Sequence, residues 1–148
     1  MSYVCLDANI IFKLVIDEPD SPVAEALWSS CLDHGMTAVA PLILPFEVFS
    51  AIRRRVFRGL LNPVRAAPAC YLASVMPISY VHHNMLMLRA LQLAAEYDQP
   101  TIYDTMYLAV AETCNCVFWT ADERFYHAVS PQLPFVRLLA DYGRTPAQ

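Results

Sequence analysis

Four acidic residues of this 148-residue chain stand where chemistry rather than solubility would place them: Asp7, Glu47, Asp104 and Asp122. Asp7 follows the apolar run Tyr3-Val4-Cys5-Leu6, and Asp122 follows Cys116-Val117-Phe118-Trp119-Thr120 and Ala121, so two buried-strand signals each lead to an acid. Glu47 lies in the first turn of a helix expected to begin near Pro45. Asp104 opens a helix expected over residues 101–112, on the face that carries Leu108 and Ala111, with Tyr107 alongside. Any one acid at a helix start has an ordinary reading as a cap or as a partner of the helix dipole. As a group they carry more. Carboxylates ~4 Å apart at an effective dielectric of 20 repel by about 4 kcal/mol, so acids brought together call for protonation or a divalent cation. Oxygen-only donors suit Mg²⁺ or Mn²⁺ and suit zinc poorly.

The elements that must position these acids alternate between strand and helix. This predicts an α/β three-layer sandwich with a central, mainly parallel sheet, in one domain over residues 1–148. In such sheets ligands gather beyond the carboxyl ends of the strands, where Asp7 and Asp122 fall. A short helix over 9–15 is followed by a polar turn and a helix capped by Ser21, with Pro22 in its first turn and Gly35 at its end. A strand over 36–40 is expected to stop at Pro41. After the helix from Pro45 to Gly59, Asn62-Pro63 opens a helix that should bend near Pro68. Residues 75–80 read as an edge strand demoted by Pro77. A helix over 83–97 should bury the stripe Met85, Leu88, Leu91 and Ala95. Asp122 opens a short helix, 135–138 form a last strand, and a tail is expected after Asp141.

Composition narrows the class. A hydrophobic content of 57% and a mean hydropathy of +0.36 are high for a soluble chain, yet no apolar run approaches the ~18 residues of a membrane span. The richest region is broken by Pro41 and Pro45. The start, Met1-Ser2-Tyr3, lacks the basic, apolar and cleavage regions of a signal peptide, so a cytosolic protein with no membrane role is expected. Excess apolar surface implies a partner, either a second copy or another chain. The net charge of −4 excludes bulk attraction to nucleic acid, but Arg53, Arg54, Arg55 and Arg58 cluster within six positions, and arginine suits phosphate or carboxylate. A solvated helix face explains that cluster equally well. Cys5, Cys31, Cys70, Cys114 and Cys116 are odd in number and lack zinc spacing, so they read as reduced core thiols. His82-His83 read as a helix start.

Taken in order, Leu6-Asp7-Ala8-Asn9, Phe46-Glu47-Val48, Tyr103-Asp104-Thr105 with Tyr107-Leu108-Ala109, and Trp119-Thr120-Ala121-Asp122 resemble the acidic motifs of PIN domains, particularly VapC-type toxins of toxin–antitoxin pairs. The resemblance spans nearly the whole chain. It implies a metal-dependent endoribonuclease in which Asp7, Glu47, Asp104 and Asp122 bind Mg²⁺ or Mn²⁺ and Asn9 and Thr120 support the site. It also implies an RNA substrate, a cognate antitoxin and a homodimer. The helices over 45–73, with Phe49, Ile52, Val56, Leu60 and the arginines, are the expected antitoxin groove. The chain departs from many relatives in carrying Arg124, with Glu123 beside it, where a further acid is frequent, which puts a second metal in doubt. Two other readings fit parts of the pattern. An inactive PIN-like binding module would keep the fold alone. A receiver domain or haloacid-dehalogenase-like phosphatase would use a phosphorylated Asp7, but needs a lysine late in the chain, and the only lysine is Lys13.

Overall fold

Parallel strands cannot be joined by tight turns, and the segments between these strands are long enough to return over the sheet as helices. The computed structural model describes residues 1–144. Along the chain run β1 (Tyr3–Leu6), α1 (Ala8–Val15), α2 (Ser21–Asp33), β2 (Thr37–Pro41), α3 (Leu44–Phe57) and α4 (Pro63–Val75). They are followed by β3 (Ile78–Val81), α5 (Asn84–Glu96), α6 (Tyr103–Cys114), β4 (Val117–Thr120), α7 (Glu123–Val129), β5 (Val136–Leu138) and a 3₁₀ turn, Leu139–Asp141. The five strands form one parallel sheet in the order β3-β2-β1-β4-β5, and helices complete a three-layer α/β sandwich.

The order of the strands fixes where a site can form. From β1 the chain moves outward to β2 and β3, then crosses back to the other side of β1 to lay down β4 and β5. The reversal leaves a crevice between the carboxyl ends of β1 and β4, the place where open α/β sheets bind ligands. Register matches this: Leu6, the last residue of β1, faces Trp119, one residue short of the end of β4.

Helix α6 lies against β1, β2 and β4 under the cover of α5. Tyr107, Leu108, Ala109, Val110 and Ala111 are all buried, so it is apolar nearly all round. Asn115 ends it in the left-handed region at φ 48°, which asparagine tolerates, and turns the chain into β4. Asn62 accepts from the Val64 amide at 3.0 Å and caps α4, which continues through Pro68.

Several boundaries differ from the sequence expectation. Pro41 is the last residue of β2, opposite Val81, rather than the residue that stops it. Val75 belongs to α4, and β3 begins only after Pro77, because a proline cannot donate to the ladder. Ser21 does not cap α2; Asp20 holds that position, and the Ser21 hydroxyl closes the preceding turn between the Glu18 amide and the Ile16 carbonyl. The largest correction concerns α5. Its core face is Leu86, Ala90, Leu93 and Ala94, whereas Met85, Leu88, Leu91 and Ala95 are exposed. Both faces are apolar, so periodicity alone cannot choose between them. Cys5 and Cys31 are buried free thiols as expected, but Cys70, Cys114 and Cys116 are only half-buried. The tail starts later than Asp141: Tyr142 packs edge-on against Trp119 at 5.5 Å and its hydroxyl donates to the Ala26 carbonyl. The rest of the expected tail, 145–148, lies outside the described residues. Among the described residues no helix is long and apolar enough to cross a membrane.

Candidate active site

The ladder that pairs β1 with β4 continues one residue past the strands, with the Asp7 amide donating to the Trp119 carbonyl at 3.0 Å. That bond carries Asp7 into the crevice. Its side chain makes no capping bond to α1 although it holds the N-cap position. Instead Oδ2 accepts from the Thr120 hydroxyl at 2.7 Å and from the Asn9 amide at 3.2 Å. Asn9 also donates to Thr120 Oγ1 and accepts from the Ala121 amide, while the Asp122 amide donates to Thr120 Oγ1 at 3.0 Å. The two strand ends are thereby laced together through side chains more than 100 residues apart. Among the described residues no buried side-chain oxygen or nitrogen lacks a partner, and the Asn9 backbone also favours the charged form of the Asp7 carboxyl.

The other acids reach the same space from helix ends. Asp7, Glu47, Asp104 and Asp122 all line one cleft of about 700 Å³, together with Asn9. Asp104 is in the first turn of α6, whose N-cap is Ile102, and it makes no capping bond. Glu47 is in the first turn of α3 and accepts from the buried Tyr107 hydroxyl at 3.1 Å. Asp122 is exposed and caps α7, accepting from the Phe125 amide at 2.9 Å.

Burial, more than repulsion, sets the protonation of this group. Asp7 is 4% exposed, and desolvation pushes its carboxyl up from 3.8 to about 8; the Thr120 hydroxyl opposes that rise, and Asp104 and Glu47 add to it. Glu47 is pushed up to about 7, again mainly by burial, with the Tyr107 hydroxyl opposing and the Asp104 charge adding. Asp104 is raised by burial and then by Asp122. Mutual repulsion is thus real but secondary, a correction to an expectation built on charge pairs alone.

Among the described residues none of these acids has an ion-pair partner, and no three His, Cys, Asp or Glu side chains close up tightly enough to enclose an ion as they stand. Of the nearby cations, Lys13 pairs with Asp20 at 2.8 Å, and Arg55 pairs with Glu18 while lying over the Phe12 ring. Arg54 in α3 and Arg58 at its C-cap line the cleft from the helix that carries Glu47, and the Arg54 charge opposes the rise of the Glu47 pKa; Arg53 does not line the cleft and lies over Phe57 instead.

Of the residues singled out in the sequence, the structure brings Asp7, Asn9, Glu47, Asp104, Asp122, Arg54, Arg55 and Arg58 to one cleft and bonds Thr120 to Asp7, while Arg53 does not line the cleft. Motif reading missed the bond from Tyr107 to Glu47 and the presence of Lys13 and Glu18 in the cleft wall. Tyr107 shares the helix face of Asp104, and that spacing was the available signal. In the expected groove, Ile52 is buried in the core; Phe46, Phe49, Phe57, Leu60, Val64, Tyr71 and Leu72 are the large apolar residues exposed there.

Comparison with known proteins gives the architecture a family. No curated protein matches the sequence. The crystal structure of the Mycobacterium tuberculosis toxin VapC20, described as cleaving the sarcin–ricin loop, is similar over 85% of this chain and 95% of that one, with a TM-score of 0.66 at 16% identity. A VapBC2 complex from Rickettsia felis, bound to a fragment of promoter DNA, is similar over 92% and 96%, with a TM-score of 0.63 at 13% identity. A toxin–antitoxin complex from Klebsiella pneumoniae is similar over 92% and 97%, with a TM-score of 0.59 at 16% identity. The family model described as PIN domain matches residues 4–130, which contain every residue of the laced strand ends and every acid of the cleft. The chain belongs to the PIN domain family.

Proposed function

We propose that this chain is a cytosolic, metal-dependent endoribonuclease, the toxin of a toxin–antitoxin pair. The observation that carries the reading is the treatment of Asp7: Asn9 and Thr120 hold one carboxylate oxygen, the residue lines a cleft shared with Glu47, Asp104 and Asp122, and among the described residues no cation forms an ion pair with any of the four. Buried acids kept without a counter-charge are costly unless a ligand supplies one. The donor set fits Mg²⁺ or Mn²⁺, all oxygen and all carboxylate. Acids that share a cleft without closing on one another suit Mg²⁺ in particular, which keeps several waters and takes few carboxylates directly. Asp7, Asp104 and Asp122 would hold the ion, and Glu47 would ligate or orient water. When bound, the ion supplies an activated water and neutralises charge on the phosphate.

The chain's own residues do the rest. Arg54 and Arg58, which line the cleft along α3 beyond Glu47, would hold the flanking RNA phosphates, with Arg55 released from Glu18 as a third. Phe46, Phe49, Phe57 and Leu60 beside Arg53, Arg54 and Arg58 offer an antitoxin segment an apolar floor with a cationic rim, in keeping with the VapBC complexes that share the fold. A second copy would cover the exposed stripe of α5, where Met85, Met87, Leu88 and Leu91 are each more than half exposed.

The deciding experiment is cleavage of an unstructured RNA with Mn²⁺ and with EDTA. Cleavage should require the metal and should fall by at least about a hundredfold in Asp7→Asn. A pure wild-type protein whose cleavage is indifferent to Mn²⁺ and EDTA would overturn the reading.

A further inference from the structure

Tyr107 is a residue without contact to the cleft, yet it ends on one of the cleft's acids. It is fully buried in α6, one turn beyond Asp104, and its ring stacks on Phe118 of β4 at 5.6 Å with the planes 18° apart. Its carbonyl accepts from the Cys5 thiol of β1. The phenol hydroxyl has one partner, Glu47 Oε1 of α3, at 3.1 Å. A fully buried ring stacked on Phe118, on a helix tied to β1 through its own carbonyl, has little room to swing its hydroxyl away, so the bond constrains Glu47 rather than the reverse. Glu47 is the acid most in need of such a constraint. It stands on the long side chain of a helix surface, without the short tether that Thr120 and Asn9 give Asp7.

We infer that Tyr107 is a positioning residue that fixes the Glu47 carboxylate, with Oε2 presented to the cleft, so that Glu47 acts from a set place relative to Asp104 on the same helix as the tyrosine. The inference rests on the metal-site reading above. A hydroxyl donating to a carboxylate that ligates an ion, or orients its water, controls affinity through geometry, and losing such a partner characteristically weakens metal binding by roughly 10- to 100-fold.

Calorimetric titration of folded protein with Mn²⁺ tests this without reference to catalysis. Tyr107→Phe removes one oxygen and keeps the stack on Phe118. Its Mn²⁺ Kd should rise at least about tenfold, and in a Glu47→Gln background the same substitution should change the Kd less than about twofold. A tyrosine that merely fills the core would lower the melting temperature and leave the Kd unmoved; an unchanged Kd in folded Tyr107→Phe overturns the inference. Should that variant not fold, para-aminophenylalanine at position 107, the same shape with a weaker donor, should weaken Mn²⁺ binding by a few fold, and unchanged affinity again overturns it. Wild-type protein that takes up no Mn²⁺ overturns the metal-site reading itself, and does so in a different arm of the experiment.

Discussion

β1 and β4 lie side by side, each leads to an acid, and each acid is the N-cap of the helix that follows, yet the two carboxylates are held in opposite ways. Asp122 is exposed and caps α7 through Phe125. Asp7 caps nothing and is buried, with its bonds directed sideways to Asn9 and Thr120. One position therefore lowers the free energy of the apo fold while the other raises it. A buried acid whose desolvation favours protonation, set in a cleft, marks a candidate functional site. Thr120 stands between the two, donating to Asp7 and accepting from the Asp122 amide, so it is where one strand end senses the other.

Removing the charge at each end should break the symmetry most visibly. Asp7 and Glu47 have folded pKa values of about 8 and about 7 against ordinary values of 3.8 and 4.5, so between these limits the folded state holds protons that the unfolded state has released. Metal-free stability should therefore fall as pH rises from about 4 and level off above about 8. Asp7→Asn in EDTA at pH 8 should melt roughly 4–8 °C above wild type, a gain on the order of 2 kcal/mol, and its melting temperature should slope less with pH. An equal or lower melting temperature at pH 8 would mean that Asp7 is not under strain. Differential scanning calorimetry from pH 4 to pH 9 gives both readings.

A smaller effect of opposite sign is expected at the link. Thr120→Val removes the hydroxyl that opposes the rise of the Asp7 pKa and leaves the Asp122 amide without its acceptor. It should cost about 1 kcal/mol and displace the sloping part of the stability curve to higher pH. A curve that keeps its position would show that burial alone governs Asp7.

The smallest effect belongs to Asp122. Asn caps a helix nearly as well as Asp, so Asp122→Asn in EDTA should melt within about 2 °C of wild type while still weakening Mn²⁺ binding. If it stabilised the apo protein as much as Asp7→Asn, the contrast between the two strand ends would be lost.

How much of this was legible in the sequence follows from what kind of signal each feature leaves. Tyr3–Leu6 and Val117–Thr120 are short apolar runs leading to an acid, and parallel strands buried on both faces leave that pattern. Their adjacency was legible through the fold class, since the crevice follows from strand order. α5 was not legible in detail, because Met85, Leu88 and Leu91 make as good a stripe as Leu86, Ala90 and Leu93, and only the packing of α6 against one of them decides. Ile52 was misplaced into the groove for the same reason: an amphipathic count cannot tell a core face from a second apolar face. The primacy of burial over repulsion at Asp7 was invisible to spacing, since desolvation depends on everything packed around a residue and charge pairs depend only on distance. Tyr107 could be placed on the right face, but its partner lies 60 residues away on another helix.

The lacing of the two strand ends also orders the protein in time. The hydroxyl that holds Asp7 belongs to a residue made 113 positions later, and β4 cannot pair with β1 until residues 117–120 have been made. Contacts of such separation form late, because closing so long a loop costs entropy before any contact repays it. A nascent chain exposing β1, β2 and their helices carries two of the acids without the frame that aims them. The nuclease proposed here would stay inert until β4 has been made, and a translation product that stops before residue 104 would lack Asp104 and Asp122 altogether. Activity would begin only once β4 has joined β1 and closed the frame around Asp7.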